Sequence, residues 1–200
     1  MVVEMEVKFR MNREAWQEIK RDYEADNPLD HVERQTNQYY DTLDRRLGAE
    51  KVGLRLRLLE DRTILTIKRD TKEAHKRQEL EESYPGELER LPVESRALQD
   101  LLAELNISFD DLAPLVMLRT ERSIYMLKDA DVEAEVCFDD VSIVGRCREH
   151  KLYEVEFELL NGNEERLLQI VQAFQNKYGD RVQQSGISKL GYAMQLVDCE

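Results

Sequence analysis

A chain of 200 residues with 42 acidic against 29 basic side chains, a formal charge of -13, repels nucleic acid and anionic lipid over most of its exterior, which excludes a general polyanion binder. Its length suits one domain, residues 1–200, with a substantial core. No apolar run reaches the roughly 18 to 20 residues that span a bilayer, and the N-terminus lacks the basic-then-apolar order of a signal peptide, so a soluble, cytoplasmic protein is expected.

The stretch VVEMEVKFR (2–10) alternates Glu4, Glu6 and Lys8 with Val3, Met5, Val7 and Phe9. Successive side chains of a strand point to opposite faces, so the pattern predicts a strand with one charged and one apolar face. Asn12 stands where an N-cap belongs, before a helix over residues 12–23 that brings Trp16, Ile19 and Tyr23 near one face, and NPLDH (27–31) breaks it. From about residue 34 the period becomes two. RQTNQYYDT (34–42), VGLRLRLLE (52–60), TILTIKRD (63–70) and KRQELEES (76–83), joined by polar connections such as DRRLGAEK and EDR, predict an antiparallel meander. After Pro85 and Gly86, residues 91–106 repeat Leu98, Leu101, Leu102 and Leu105 at helical spacing, an amphipathic helix that SFDD ends.

Strand patterns return over residues 115–127, 131–144 and 151–160, the last stopped by NGN (161–163). A further helix over 164–178 has Asn163 as N-cap and Gly179 at the C′ position. The tail ISKLGYAMQLV (187–197) fits a last strand or a short helix. Roughly eight strands with a few covering helices predict an α+β domain, and a twisted sheet of that size tends to close, so a barrel is expected.

Taken singly, each alternating stretch reads as a half-solvated strand. The collection reads differently: Arg55 and Arg57 in GLRLR, Lys68 in LTIK, Glu79 and Glu81 in RQELEE, Arg122 in LRTER, and Glu154, Glu156 and Glu158 in YEVEFE give nearly every strand a charged face. Arginines gather on early strands, glutamates on the first and late ones. If the sheet closes with these faces inward, its lumen is a wet, charged tunnel. Arg and Lys there supply fixed donors to phosphate oxygens, and paired carboxylates hold a hard divalent ion that phosphates also bind. Phosphoryl transfer needs that combination, because its catalysis is mostly positioning and charge neutralisation.

The motif order resembles the CYTH domain, or triphosphate tunnel metalloenzyme, family: E-x-E-x-K at Glu4, Glu6 and Lys8, YYDT at 39–42, GLRLR at 53–57, LTIK at 65–68, Glu-x-Glu at 79–81, an arginine strand near 122, FDD at 138–140, EVEFE at 154–158 and SK at 188–189. It looks closest to small stand-alone bacterial members. The resemblance implies an α+β fold: an eight-stranded antiparallel closed β-barrel, the tunnel, with helices packed outside. It implies that Lys8, Arg55, Arg57, Lys68, Arg122 and Lys189 contact the phosphates of a small-molecule triphosphate. Glu4, Glu6, Glu154 and Glu156 would carry Mg²⁺ or Mn²⁺, with Glu79, Glu81 and Asp139 completing the acidic side directly or through waters. Catalysis would rest on Glu4, Glu6, Lys8 and Glu156, as a metal-activated or carboxylate-activated water attacks the terminal phosphoryl group without a covalent intermediate. Glu154/Glu156 and Glu156/Glu158 both stand as the functional pair. Strand parity lets only one of Arg119 and Arg122, and one of Asp139 and Asp140, face the lumen; Arg122 and Asp139 are favoured, the latter because Glu133 and Glu135 share its parity.

Cys137, Cys147 and Cys199, an odd set without C-x-x-C spacing, read as buried or incidental free thiols rather than a disulfide framework or zinc site. His31, His75 and His150 read as surface or loop residues, Trp16 as core, and Tyr39 and Tyr40 as packing beside the tunnel. There is no P-loop and no nucleophile elbow. The expected function is a metal-dependent triphosphatase acting on inorganic tripolyphosphate, a nucleoside triphosphate or thiamine triphosphate, as a monomer or homodimer without nucleic-acid or membrane partners. The alternatives are a class IV-type adenylate cyclase, for which no adenine-ribose pocket is legible, and a non-catalytic triphosphate or polyphosphate sensor, which would gain little from so many carboxylates.

Overall fold

The computed structural model describes residues 2–71, 73, 75–145 and 148–197. The charged, alternating stretches form strands β1 (Val2–Met11), β2 (His31–Thr42), β3 (Val52–Leu58), β4 (Arg62–Asp70), β5 (Lys76–Pro85), β6 (Leu112–Lys128), β7 (Val132–Val144) and β8 (Glu149–Gly162). They pair antiparallel in the ring order β1-β5-β4-β3-β2-β6-β7-β8 and back to β1. The ring is closed by β1 alone, which divides its pairing: Val2–Met5 lie against β5, and Glu6–Met11 against β8. A ninth strand, β9 (Gln183–Gln184), adds to β1 outside the ring at Phe9 and Arg10. The fold is therefore an α+β closed barrel of eight antiparallel strands with helices outside it.

Closure with the charges inward sends the apolar faces outward, and each needs a cover. Met5, Val7 and Phe9 of β1, with Val136 and Phe138 of β7 and Val155 and Phe157 of β8, pack beneath α1 (Arg13–Glu24) and α4 (Glu164–Tyr178), which contribute Ile19, Leu167, Val171 and Phe174. On the other side, Leu54 and Leu56 of β3 and Leu65 and Ile67 of β4 pack beneath α2 (Arg46–Ala49) and α3 (Arg96–Leu105) through Leu47, Leu98, Leu101 and Leu102. Val3, at the barrel end, is left exposed, so the outward face of β1 is not covered along its whole length.

The caps follow the sequence. Asn12 Oδ1 accepts from Ala15 N at 2.9 Å, Ser95 Oγ from Leu98 N at 3.1 Å, and Asn163 Oδ1 from Glu165 N at 2.8 Å. At the end of β8, Gly162 has φ +103°, and a Cβ there would collide with the Asp131 carbonyl. The helix α2 lies inside the expected polar connection. It forms because the Asp41 carboxylate accepts from the amides of Leu47 at 2.9 Å and Gly48 at 3.1 Å, satisfying the donors of a first turn. β2 begins at His31, three residues earlier than its alternation indicates.

The tail, readable as strand or helix, is helix α5 (Lys189–Val197). Leu190, Ala193, Met194 and Leu196 pack on Leu118, Val141, Ile143 and Leu152, which have lumen parity, so α5 stops one end of the barrel with an apolar plug. No described helix is long and apolar enough to cross a membrane. If the core lies between barrel and helices, Phe9→Ala should cost about 3 to 5 kcal/mol in urea denaturation. A loss below about 1 kcal/mol would contradict this placement.

Candidate active site

Inward-facing residues of the barrel strands line a cavity of about 580 Å³. Lys8, Arg55, Arg57, Lys68, Arg122 and Lys189, the six cations expected from the sequence, all line it. They come from β1, β3, β4, β6 and α5, and each lies within 4 Å of at least one carboxylate.

On one wall, Arg122 of β6 donates through Nε and Nη2 to both oxygens of Asp139 on β7, at 2.8 and 2.7 Å, and through Nη2 to Glu156 Oε2 on β8 at 2.6 Å. Lys189 enters from the plug: its Nζ lies 2.9 Å from Asp139 Oδ2, 3.0 Å from Glu154 Oε2 and 2.6 Å from Glu156 Oε1. Burial alone would raise the Glu156 carboxyl, but Lys189, Lys8 and Arg122 outweigh it and hold it well below the usual carboxylate range. Burial would likewise lower Lys189, yet Asp139, Glu154 and Glu156 hold it well above the ordinary lysine value.

Across the lumen, Lys68 lies 3.3 Å from Glu4 Oε2 and also pairs with Glu79. Arg55 Nη2 is 3.8 Å from Glu79 Oε1, and Arg57 Nη2 is 3.6 Å from Glu81 Oε1. Burial, followed by contact with Glu4, pushes Glu79 above the ordinary carboxylate value; burial and Glu79 do the same to Glu81. Glu6 bridges the two walls, its Oε1 accepting from Lys8 Nζ at 2.8 Å and lying 2.9 Å from Arg77 Nη1. Burial and Glu156 push Glu6 up, but Lys8, Lys68 and Arg77 prevail and its carboxyl is lowered.

The seven expected metal ligands thus divide. Asp139, Glu154 and Glu156, all buried, place one carboxylate oxygen each within 4.8 Å of one another, the one such group of three among the described residues. Glu4, Glu79 and Glu81 lie together on the opposite wall, with Glu6 between. The buried trio is a hard oxygen set that suits Mg²⁺ or Mn²⁺, and the ammonium of Lys189 resting on all three shows that the place favours a cation.

Parity resolves most open alternatives. Arg122 and Asp139 face the lumen, whereas Arg119 is exposed and Asp140 pairs outward with Lys151 at 2.9 Å. Glu154 and Glu156 join the trio, while Glu158 lines the cavity apart from it, its carboxyl pushed by burial up to about 7. Tyr40 packs in the outer shell, but Tyr39, expected only to pack, also lines the cavity and accepts from Arg55 Nη1 at 3.3 Å. Among the thiols, Cys137 is free and buried; Cys147 and Cys199 lie outside the described residues. Sequence reasoning missed Arg10 and Arg77 and the polar ladder Gln35 and Asn37. A signal existed: Arg10 shares parity with Lys8, and Arg77 with Glu79.

Residues 3–189 match the CYTH domain family model. The chain belongs to the CYTH domain family. It is 25% identical over 158 residues to an inorganic triphosphatase of Haemophilus influenzae; the match covers 79% of this chain, which spans 45% of that relative's length. Among solved structures, a Bacillus halodurans protein described as an adenylate cyclase candidate superposes with a TM-score of 0.71 at 21% identity, over 98% of both chains. A Hippeastrum adenylyl cyclase candidate described as having a dominant triphosphatase activity gives 0.70 at 19% identity, over 96% of this chain and 95% of that one. These two likenesses show a shared fold.

Lys189→Met removes the ammonium from three buried carboxylates and should destabilise the protein by about 3 to 5 kcal/mol, the usual cost of breaking a buried ion pair. Mg²⁺ or Mn²⁺ should restore part of that loss in thermal melts, since a ligand of the folded state stabilises it. A melt unchanged by both the substitution and the metal would count against the trio as a cation site.

Proposed function

We propose that this CYTH protein is a metal-dependent hydrolase of triphosphate-bearing small molecules: inorganic tripolyphosphate, a nucleoside triphosphate or thiamine triphosphate. One observation carries the reading: six lumen cations from five elements converge on a single cavity, and a buried carboxylate trio reaches its wall through Glu156, with Asp139 and Glu154 behind the Lys189 ammonium. Two of those cations are poised for a ligand. Arg55 Nε and Arg57 Nε are buried with no hydrogen-bond partner, so each holds a donor ready for a phosphate oxygen.

Hydrolysis adds a water oxygen to the terminal phosphorus and breaks the bridging P–O bond, whose electron pair leaves on the shortened phosphate chain. Arg55, Arg57 and Lys68 on one wall and Lys8, Arg122 and Lys189 on the other neutralise the phosphate oxygens as charge shifts between them. Asp139, Glu154 and Glu156 would hold Mg²⁺ or Mn²⁺, with Glu4, Glu6, Glu79 and Glu81 on the facing side. When bound, the ion supplies Lewis-acid polarisation of phosphoryl oxygens and acidification of a coordinated water. The lumen walls keep the reacting group in place and limit its contact with bulk water. The same reading takes the protein as a cytoplasmic monomer or homodimer; the free, buried Cys137 suits a reducing compartment.

A release assay with Mg²⁺ or Mn²⁺ against tripolyphosphate, ATP and thiamine triphosphate, scoring orthophosphate, pyrophosphate and cyclic AMP, tests the proposal. Orthophosphate release is expected. Pyrophosphate with cyclic AMP would indicate the cyclase instead, and no turnover of any substrate would indicate a sensor. Arg55→Ala combined with Arg57→Ala should lower kcat/KM at least about tenfold, two charge-assisted phosphate contacts being lost. Unchanged kinetics would exclude the lumen as the substrate site.

A further inference from the structure

Arg10 of β1 shares parity with Lys8, yet it is neither an expected phosphate contact nor an expected metal ligand. Its side chain is only 14% exposed, and it makes three kinds of contact. Nε donates to Glu154 Oε1 at 2.7 Å. Nη2 donates to the carbonyls of Ile187 at 2.8 Å and Ser188 at 3.4 Å. The guanidinium lies over the Tyr192 ring, 4.5 Å from its centroid.

These contacts meet at the residues that present Lys189. Ser188 opens α5: its Oγ accepts from Gly191 N at 3.0 Å and its carbonyl from Tyr192 N at 2.9 Å. The next residue is Lys189, whose ammonium rests on the carboxylate trio. Glu154 belongs to that trio, and with Oε1 bound by Arg10 its Oε2 is the oxygen that faces Lys189, 3.0 Å away. A single guanidinium thus fixes both a carboxylate of the trio and the turn that delivers the opposing ammonium.

We propose that Arg10 is a positioning residue for the divalent-ion site, turning Glu154 so that Oε2 faces the trio and setting the Ile187–Ser188 turn so that Lys189 meets it. The inference rests on the metal reading above. Lysine cannot replace it: only a planar guanidinium can bind a carboxylate along one edge, reach carbonyls with another nitrogen, and stack its face on an aromatic ring. The competing role is a staple that merely docks α5.

The test measures Mn²⁺ binding without substrate, by the electron paramagnetic resonance signal of free Mn²⁺, together with hydrogen exchange of α5 in the metal-free protein. Arg10→Lys keeps the charge and loses the fork, so Mn²⁺ binding should weaken about tenfold or more, as removal of groups that orient metal ligands does. Tyr192→Leu removes the stacking ring but leaves the Glu154 bond, so α5 should exchange faster while Mn²⁺ affinity stays within about twofold, well short of the loss expected from the ligand-orienting residue. Unchanged or tighter Mn²⁺ binding by Arg10→Lys overturns the proposal, as does a loss in Tyr192→Leu equal to that in Arg10→Lys. Failure of the unsubstituted protein to bind Mn²⁺ overturns the metal reading itself and the inference with it, a result distinct from the other two. Should Arg10→Lys not fold, Arg10→Gln, which retains a donor for Glu154, takes its place with the same expected weakening.

Discussion

Everything in this molecule depends on two sets of opposite charges facing each other inside a closed sheet. Neither could stand alone: unpaired buried ions are among the costliest features a fold can contain. Paired along each wall, as Arg122 is with Asp139 and Glu156, or Lys68 with Glu4 and Glu79, each set makes the other tolerable. The same arrangement prepares an exchange. On the proposed function, a phosphate chain carrying a divalent ion would bring both signs at once, the cations trading carboxylates for phosphate oxygens and the carboxylates trading ammonium and guanidinium for the ion. The interior is pre-organised for a ligand of mixed charge by being filled with its own counterparts.

A barrel whose interior is polar must find its apolar stabilisation elsewhere. Here that role falls to the outward strand faces, with α1 and α4 over β1, β7 and β8 and α2 and α3 over β3 and β4. Phe9 and Glu6 illustrate the division: three positions apart on one strand, one is sealed under α4 and the other bridges Lys8 and Arg77 in the lumen. The helices are thus the outer half of the core, and the strands its inner half.

Much of this was legible in the sequence because a strand's period is two. Alternation in GLRLR, LTIK and YEVEFE separates lumen from shell residue by residue, and once closure is granted the same parity selects Arg122 over Arg119 and Asp139 over Asp140. What parity does not carry is pairing across the ring. That Glu154 and Glu156 meet Asp139 while Glu79 meets Glu4 follows from strand order and stagger, which reside in contacts between segments far apart in the chain. The short α2 was hidden in a polar connection because its cap, Asp41, precedes it by five residues and looks like the end of a strand. The tail was ambiguous because eleven residues with apolar positions at several spacings fit either period, and the lumen end it plugs decides between them. Arg10 was overlooked for a different reason: its importance lies in the turn it grips, which sequence does not bring near it.

The apolar plug formed by α5 gives the barrel one blind end. A linear phosphate chain, the class of substrate proposed above, would enter a blind tube by its terminus. Such a tube measures from the end of the chain inward, whatever is attached to the other end. On the proposed function, such a tube would favour removal of terminal units over scission in the middle of a long polymer, and product would leave by the route through which substrate came.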